Sequence, residues 1–342
     1  MIFKGKDFRH LLYSTVLILM IFGEVKAQLA WPVIRQQHKP WTRWWWEGSA
    51  VNEKGLSWNL DQYQKAGLGG VEITPIYGIY GEEKNFVDFL SPRWMQLFSH
   101  TLKESRRLGL GVDLANGTGW PFGGPWVKDE DASKAIYHKV YTVEGAGQLT
   151  EPVSFEREGF VRTANGKKLA IGSVQNPVTQ NKNLQELALD QVQFAGKLPL
   201  VTLMAYNQHS KSLDLTSKVS ADGRLQWKAP SGSGKWTLYA LFEGLHGKMV
   251  ERAAPGGEGY AIDHFSKRAA QNYFKNFDEA FKGYDISYLR SFLMTPTRWM
   301  MHAERPTGHL NFSMSFINVK AMICVQNYLR CLVNQTMREA QE

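Results

Sequence analysis

The sequence predicts an α/β fold: parallel strands joined by helices as in a (β/α)8 barrel, here incomplete and interrupted by an inserted antiparallel β-sandwich-like module. Three observations predict it. Strand-like segments at 41–51 (WTRWWWEGSAV), 68–78 (LGGVEITPIYG) and 108–126 (LGLGVDLANGTGWPFGGPW) each run into polar, glycine-rich or aromatic loops. Two amphipathic helical segments lie between them, and strand, loop and helix repeated in that order signal parallel β/α construction. From about Ala132 the pattern changes to alternating runs such as AIYHKVYTV, KLPLVTLMAY and GKWTLYALFEG, parted by turn clusters, which is the period of antiparallel strands.

The elements follow in order. Residues 1–27 read as a signal peptide: Lys4, Lys6 and Arg9 precede an apolar stretch at 11–23, and Ala27 ends a cleavage site, so the mature chain is expected to be periplasmic or secreted. Residues 28–131 carry the first part of the barrel. Within them 52–67 places Leu56, Leu60 and Tyr63 at helical spacing, with Gly67 as the stop. Residues 91–109 begin with a Ser cap and Pro at the first helical position, put Trp94, Leu97, Leu102 and Leu108 on one side, and end at Gly109. The inserted module takes 132–250. The barrel resumes over 251–292, where 264–282 reads as a helix, with Asp263 as its cap, and ISYLRSF as a strand.

The chain of 342 residues has a formal charge of +8, yet no basic run or basic helix stripe, which argues against nucleic acid. Aromatic residues make up 13%, including 12 Trp. Both cysteines, Cys324 and Cys331, lie in the last stretch, so no disulfide framework is expected. The His residues show no metal-ligand spacing, and GTGWPFGG lacks the lysine of a phosphate loop.

In parallel β/α folds the loops after the strands carry the chemistry, because the strand C-terminal ends converge on one face. The loops here hold Trp, Tyr, Asn, Asp and Glu and no basic cluster, the composition of a sugar site. Side chains alternate along 44–46, so at most two of Trp44, Trp45 and Trp46 can line a barrel mouth. Candidate substrate contacts are Trp45, Glu47, Glu72, Asp113, Asn116, Trp120 and Trp126. Glu47 and Glu72 are expected at or near the ends of the first two strands, and Asp113 and Asn116 at the end of the third. Core packing for the aromatics, and loop-fixing or metal ligation for the polar residues, are the alternatives.

The blocks WTRWWWEGSAV, AGLGGVEITPIYG and GVDLANGTGWPFGGPWV resemble glycoside hydrolase family 106, the α-L-rhamnosidase family, as do AIDHFSKRAAQNYFKNFDEAF and YDISYLRSF. The resemblance implies an exported bacterial enzyme acting on oligo- or polysaccharides that contain L-rhamnose, with a catalytic (β/α)8 barrel, calcium dependence and inversion by separate acid and base carboxylates. No partner in the membrane is expected after signal cleavage.

From 293 to 342 the character breaks. This tail holds six of the 11 Met, both Cys and one of the 31 Gly, and fits neither hydrophobic period. It reads as translation in a shifted frame: overlapping codons force Asp from Trp299-Met300 and from Met300-Met301, and a coherent acidic loop and helix can be read there. The family's catalytic glutamates lie in segments beyond this point, so no catalytic residue is assigned. The chain is expected to be a truncated, inactive glycoside hydrolase. The alternatives are a non-catalytic carbohydrate-binding protein, and a complete enzyme using Glu47 or Glu72 with Asp113.

Overall fold

The computed structural model describes residues 32–163, 169–174, 189–208 and 212–293. The signal peptide read at 1–27 and the tail read at 293–342, beyond its first residue, lie outside the described residues. The described residues form a mixed α/β structure with one parallel sheet and several antiparallel ones.

The parallel sheet begins with β1 (Trp41–Glu47), crosses through α1 (Glu53–Lys65) to β2 (Gly70–Ile76), and through α2 (Pro92–Leu108) to β3 (Gly111–Ala115). The helix boundaries follow the local chemistry. The Asn52 side chain accepts from the Gly55 N–H and starts α1; Ser91 accepts from the Trp94 N–H and starts α2, with Pro92 at its first turn. Gly109, at φ 69°, turns the chain out of α2.

A long excursion follows β3. It comprises β4 (Gly123–Gly124), β5 (Lys134–Val143), β6 (Glu156–Arg157), β7 (Phe160–Thr163), β8 (Leu189–Gln193), β9 (Gly196–Lys197), β10 (Leu200–Asn207), β11 (Ser212–Asp214), β12 (Trp236–Leu245) and β13 (Tyr260–Ala261). Strand β12 pairs along its whole length with β5, in a four-stranded antiparallel sheet of order β11-β10-β12-β5. Its core is separate, built on Leu203, Trp236, Leu238 and Phe242. Among the described residues this is one sheet with short two-stranded ladders, β6 with β9 and β7 with β8, rather than a pair of large sheets face to face.

The chain then returns through α3 (Lys267–Phe281) to β14 (Leu289–Leu293), which pairs in parallel with β3 and completes the order β1-β2-β3-β14. Ser266, not Asp263, caps α3, accepting from the Ala269 N–H. Asp263 instead accepts from the Phe265 N–H in the turn just before it. The cap moved because the chain makes that extra turn before the helix opens.

Helices α1, α2 and α3 cover one face of the parallel sheet. Trp44 and Trp46 point into that layer, Trp44 against Tyr63 at 5.5 Å and Trp46 against Trp94 at 5.6 Å. Phe98, Tyr273 and Phe277 continue the same core. On the opposite face Trp41 lies across Gly70 and Gly111. A Cβ added at Gly111 would stand 2.2 Å from the Trp41 ring, so glycine here is a requirement of close approach.

Candidate functional site

The face of the sheet away from the helices carries the polar residues in rows. Strand β1 presents Arg43, Trp45 and Glu47 there, since alternate side chains share a face. The register sets Arg43 opposite Glu72 and Glu72 opposite Asp113. Arg43 Nε donates to Glu72 Oε1 at 3.0 Å, and the Thr74 hydroxyl donates to the same oxygen at 2.9 Å. Asp113 accepts from Arg290 Nε at 2.8 Å and from the Ser291 hydroxyl at 2.8 Å. The guanidinium of Arg290 in turn lies 4.0 Å above the Trp41 ring. One charged row, Arg43–Glu72–Asp113–Arg290, therefore crosses the sheet from edge to edge.

This row sits in the body of the strands. Glu72 is the third residue of β2 and Asp113 the third of β3, so neither ends its strand. The expectation failed because Ile73 to Ile76 continue the strand beyond Glu72. Both carboxylates are taken up by arginine.

The C-terminal ends of the strands hold a different group. Glu47 is the last residue of β1 and is exposed; Trp45 beside it is 48% exposed. Asn116 follows β3 directly, its N–H donating to the Leu293 carbonyl at 3.1 Å. Its side-chain amide is fully buried with no hydrogen-bond partner at either end, and the Thr118 hydroxyl shares that condition. An unmatched buried polar group costs about 1–3 kcal/mol, so the pair calls for an ordered water or a ligand hydroxyl. The Tyr273 hydroxyl donates to the Asn116 carbonyl at 2.8 Å and fixes this turn from α3. Complete burial raises the Tyr273 hydroxyl well above its ordinary range.

Trp120 and Trp126 part company. Trp120 joins the strand ends: its backbone exchanges two hydrogen bonds with Glu251, at 3.1 and 2.9 Å. Trp126 packs 5.7 Å from Tyr273, at the edge of the helix-side core. The structure thus gathers Trp45, Glu47, Asn116 and Trp120 toward the strand ends, holds Glu72 and Asp113 in the row below, and sets Trp126 against α3.

Two further residues belong to the strand ends. Tyr77 follows β2, and its N–H donates to the Arg252 carbonyl at 2.9 Å. Both have positive φ, 44° and 61°. The Arg252 guanidinium stands 5.2 Å from the Tyr77 ring centroid and 5.4 Å from that of Trp120. Nothing local in the sequence marks Arg252, because its role depends on where the insertion rejoins the sheet.

Beside it lies an ionic clamp. Lys248 donates to both Asp190 and Glu251, and Arg162 to Asp190. Burial alone would raise Asp190, but a hydrogen bond from Glu251 and the Lys248 ammonium hold it down at about 2. Burial, with Asp190 alongside, pushes Glu251 up. Lys248, bonded to both Asp190 and Glu251, ties the insertion to the strand ends. Among the described residues no group of three or more His, Cys, Asp and Glu could hold a metal ion.

The profile of glycoside hydrolase family 106, described as alpha-L-rhamnosidase, matches residues 34–191 and 188–289. A protein of Formosa agariphila named "Putative beta-glucuronidase" is 26% identical over 255 residues, which are 70% of this chain and 20% of that protein. A solved rhamnosidase from Novosphingobium sp. PP1Y aligns with a TM-score of 0.46 and 17% identity, covering 72% of this chain and 37% of that one. The chain spans about a fifth of the length of the curated relative and little more than a third of the solved one.

Proposed function

We propose that this chain, which belongs to glycoside hydrolase family 106, the alpha-L-rhamnosidase family, binds α-L-rhamnosides at the C-terminal ends of β1, β2 and β3. The observation that carries this reading is the pairing of Trp45 and Glu47 at the end of β1. An exposed indole stands next to a carboxylate with no ion pair among the described residues. A sugar stacks its C–H face on an aromatic ring while a carboxylate accepts from its hydroxyls. L-rhamnose, a deoxy sugar with a methyl edge, suits such a surface.

In this reading the four parallel strands are part of a (β/α)8 barrel, with Trp41 filling its floor and the charged row above it. The chain is exported under the signal read at 1–27. The sugar is gripped here, and the acid and base of an inverting hydrolysis are not among the described residues. Glu72 and Asp113 are ion-paired with Arg43 and Arg290, which speaks against their service as the free acid and base of an inverting pair. That observation also favours the non-catalytic sugar-binding alternative over an enzyme built on Glu72 and Asp113.

The test is calorimetric titration of the whole chain with methyl α-L-rhamnoside. Binding that weakens about tenfold or more in Trp45→Ala and in Glu47→Gln is expected, a loss typical of one stacking or charged hydrogen-bond contact. Unchanged affinity in both variants, or no binding by the unmodified chain, would overturn the reading.

A further inference from the structure

The turn that follows Glu47 is bent in a costly way. Gly48 and Ser49 both have left-handed backbones, with φ of 61° and 48°, and Tyr77 just after β2 adds a third at 44°. Strained non-glycine residues persist only where their surroundings over-determine them, and they concentrate at sites of function. The surroundings here are specific. The Gly48 N–H donates to the Ile76 and Tyr77 carbonyls at 2.9 and 2.7 Å, and the Gly48 carbonyl accepts from the Val87 N–H at 3.1 Å. From the helix side, the Trp94 indole N–H donates to the Ser49 hydroxyl at 3.2 Å.

The remaining hold is a ring. A Cβ built on Gly48 would stand 2.5 Å from Phe86 Cδ1 and Cε1, and one built on Gly78 would stand 2.3 Å from Phe86 Cζ. The Phe86 ring therefore lies directly against two glycine backbones, one in the loop after β1 and one in the loop after β2. Gly48 must be glycine for its backbone as well. Gly78 is not left-handed, so the ring alone excludes a side chain there. Both glycines are buried, while Phe86 is partly buried and belongs to neither hydrophobic core. Its packing serves the strand ends and not the interior of the fold.

We infer that Phe86 is a positioning residue of the sugar site: wedged between Gly48 and Gly78, it fixes the end of β1, and with it Glu47, against the loop after β2. Glu47 is itself exposed, so little else restrains it from the solvent side. Holding the residue next to it limits the backbone freedom that Glu47 would lose on binding, and a contact group already in place binds more tightly than one that must be ordered. This inference rests on the rhamnoside-binding reading, which uses Glu47 as a sugar contact, but the wedge itself can be read without sugar.

The experiment compares Phe86→Ala, Phe86→Leu and Gly78→Ala in the whole chain, by calorimetric titration with methyl α-L-rhamnoside and by hydrogen–deuterium exchange. Phe86→Ala should weaken binding about tenfold, the loss of one charged hydrogen bond. It should quicken exchange at 47–50 and 76–79 while the rest of the parallel sheet exchanges as before. Phe86→Leu refills part of the space and should recover part of both. Gly78→Ala drives the ring from its place and should imitate Phe86→Ala. The double variant Gly78→Ala/Phe86→Ala should be no worse than Phe86→Ala alone, because both act on one contact. Exchange that quickens across the sheet and its helices alike would mark a merely structural residue and overturn the inference. So would local quickening with affinity kept, or no change in either measurement. If the unmodified chain does not bind the rhamnoside, that reading falls and exchange alone decides: quickening confined to the two loops upholds the wedge on Glu47, and its absence overturns it.

Discussion

Asp113 and Arg290, 177 residues apart in the chain, meet as a two-pronged ion pair on the open face of the parallel sheet. The carboxylate is nearly enclosed and the guanidinium half exposed, so the pair is worth more than a surface bridge and less than a buried one. Asp113→Asn is expected to cost about 1–2 kcal/mol in denaturant unfolding. It should also speed proteolytic cleavage at β14, whose docking on β3 it supports. A stability change below about 0.3 kcal/mol would show that the β3–β14 ladder stands without it.

Gly111 should not tolerate a side chain. A methyl group there would meet Trp41 at 2.2 Å, and overpacking of this kind costs about 1–3 kcal/mol. Gly111→Ala is therefore expected to lower the melting temperature. Trp41→Ala in the same chain should recover part of the loss, because the clash then disappears. Additive losses in the double variant would place the strain elsewhere.

His264 supplies a pH prediction. Burial lowers its pKa to about 4, neither ring nitrogen has a partner, and the ring lies 4.7 Å from Phe122. An unfolded histidine takes up its proton near 6.5, so below that pH the unfolded state binds more protons than the folded one. Stability should consequently fall as pH drops from 6.5 to about 4. His246, also lowered to about 4 by burial, acts in the same direction. Glu243 and Glu251, raised by burial, oppose it over their own titration. His264→Phe isolates one contribution: relative to the unmodified chain it should gain about 1–2 kcal/mol between pH 6.5 and 4.5, after discounting for its partial exposure. A difference that stays flat with pH would mean that the imidazole reaches a proton acceptor or solvent.

Catalysis by the chain alone is not expected. General acid and base groups are worth roughly 10²–10⁴ each in rate, and Glu72 and Asp113 are bound to arginines. Release of the aryl group from an aryl α-L-rhamnoside should match buffer. Turnover that is lost in both Glu72→Gln and Asp113→Asn would make these residues the working pair.

The parallel sheet and its helices were legible because their signals are local. Asn52, Ser91, Pro92 and Gly109 stand where caps and stops belong, and the alternation at 44–46 sets Trp45 on one face and Trp44 and Trp46 on the other, although only the packing of the helices decides which face is covered. The roles of Glu72 and Asp113 were hidden, because each depends on a cross-strand partner, Arg43 or Arg290, that no local pattern names. Arg252 was invisible for the same reason: its neighbours Tyr77 and Trp120 come from two other loops. Trp120 and Trp126 look alike in sequence, in one glycine-rich loop, yet the ladder between β4 and β13 turns the second against Tyr273. The cap of α3 was misread because Asp263 and Ser266 are both good cap residues, and only the extra turn chooses between them.

The distance between Asp113 and Arg290 along the chain has a consequence for how the molecule is made. At a ribosomal rate of 5–20 residues per second, the 177-residue separation takes roughly 9–35 s to emerge. For that interval β3 has one finished edge, against β2, and one bare edge carrying a carboxylate without its counter-charge. The antiparallel sheet, whose pairings close over shorter stretches, can form meanwhile. Strand β14 must then find an edge that has waited through the whole insertion. A nascent chain stalled before Arg290 would be the form most exposed to wrong strand pairing, and to the chaperones that guard against it.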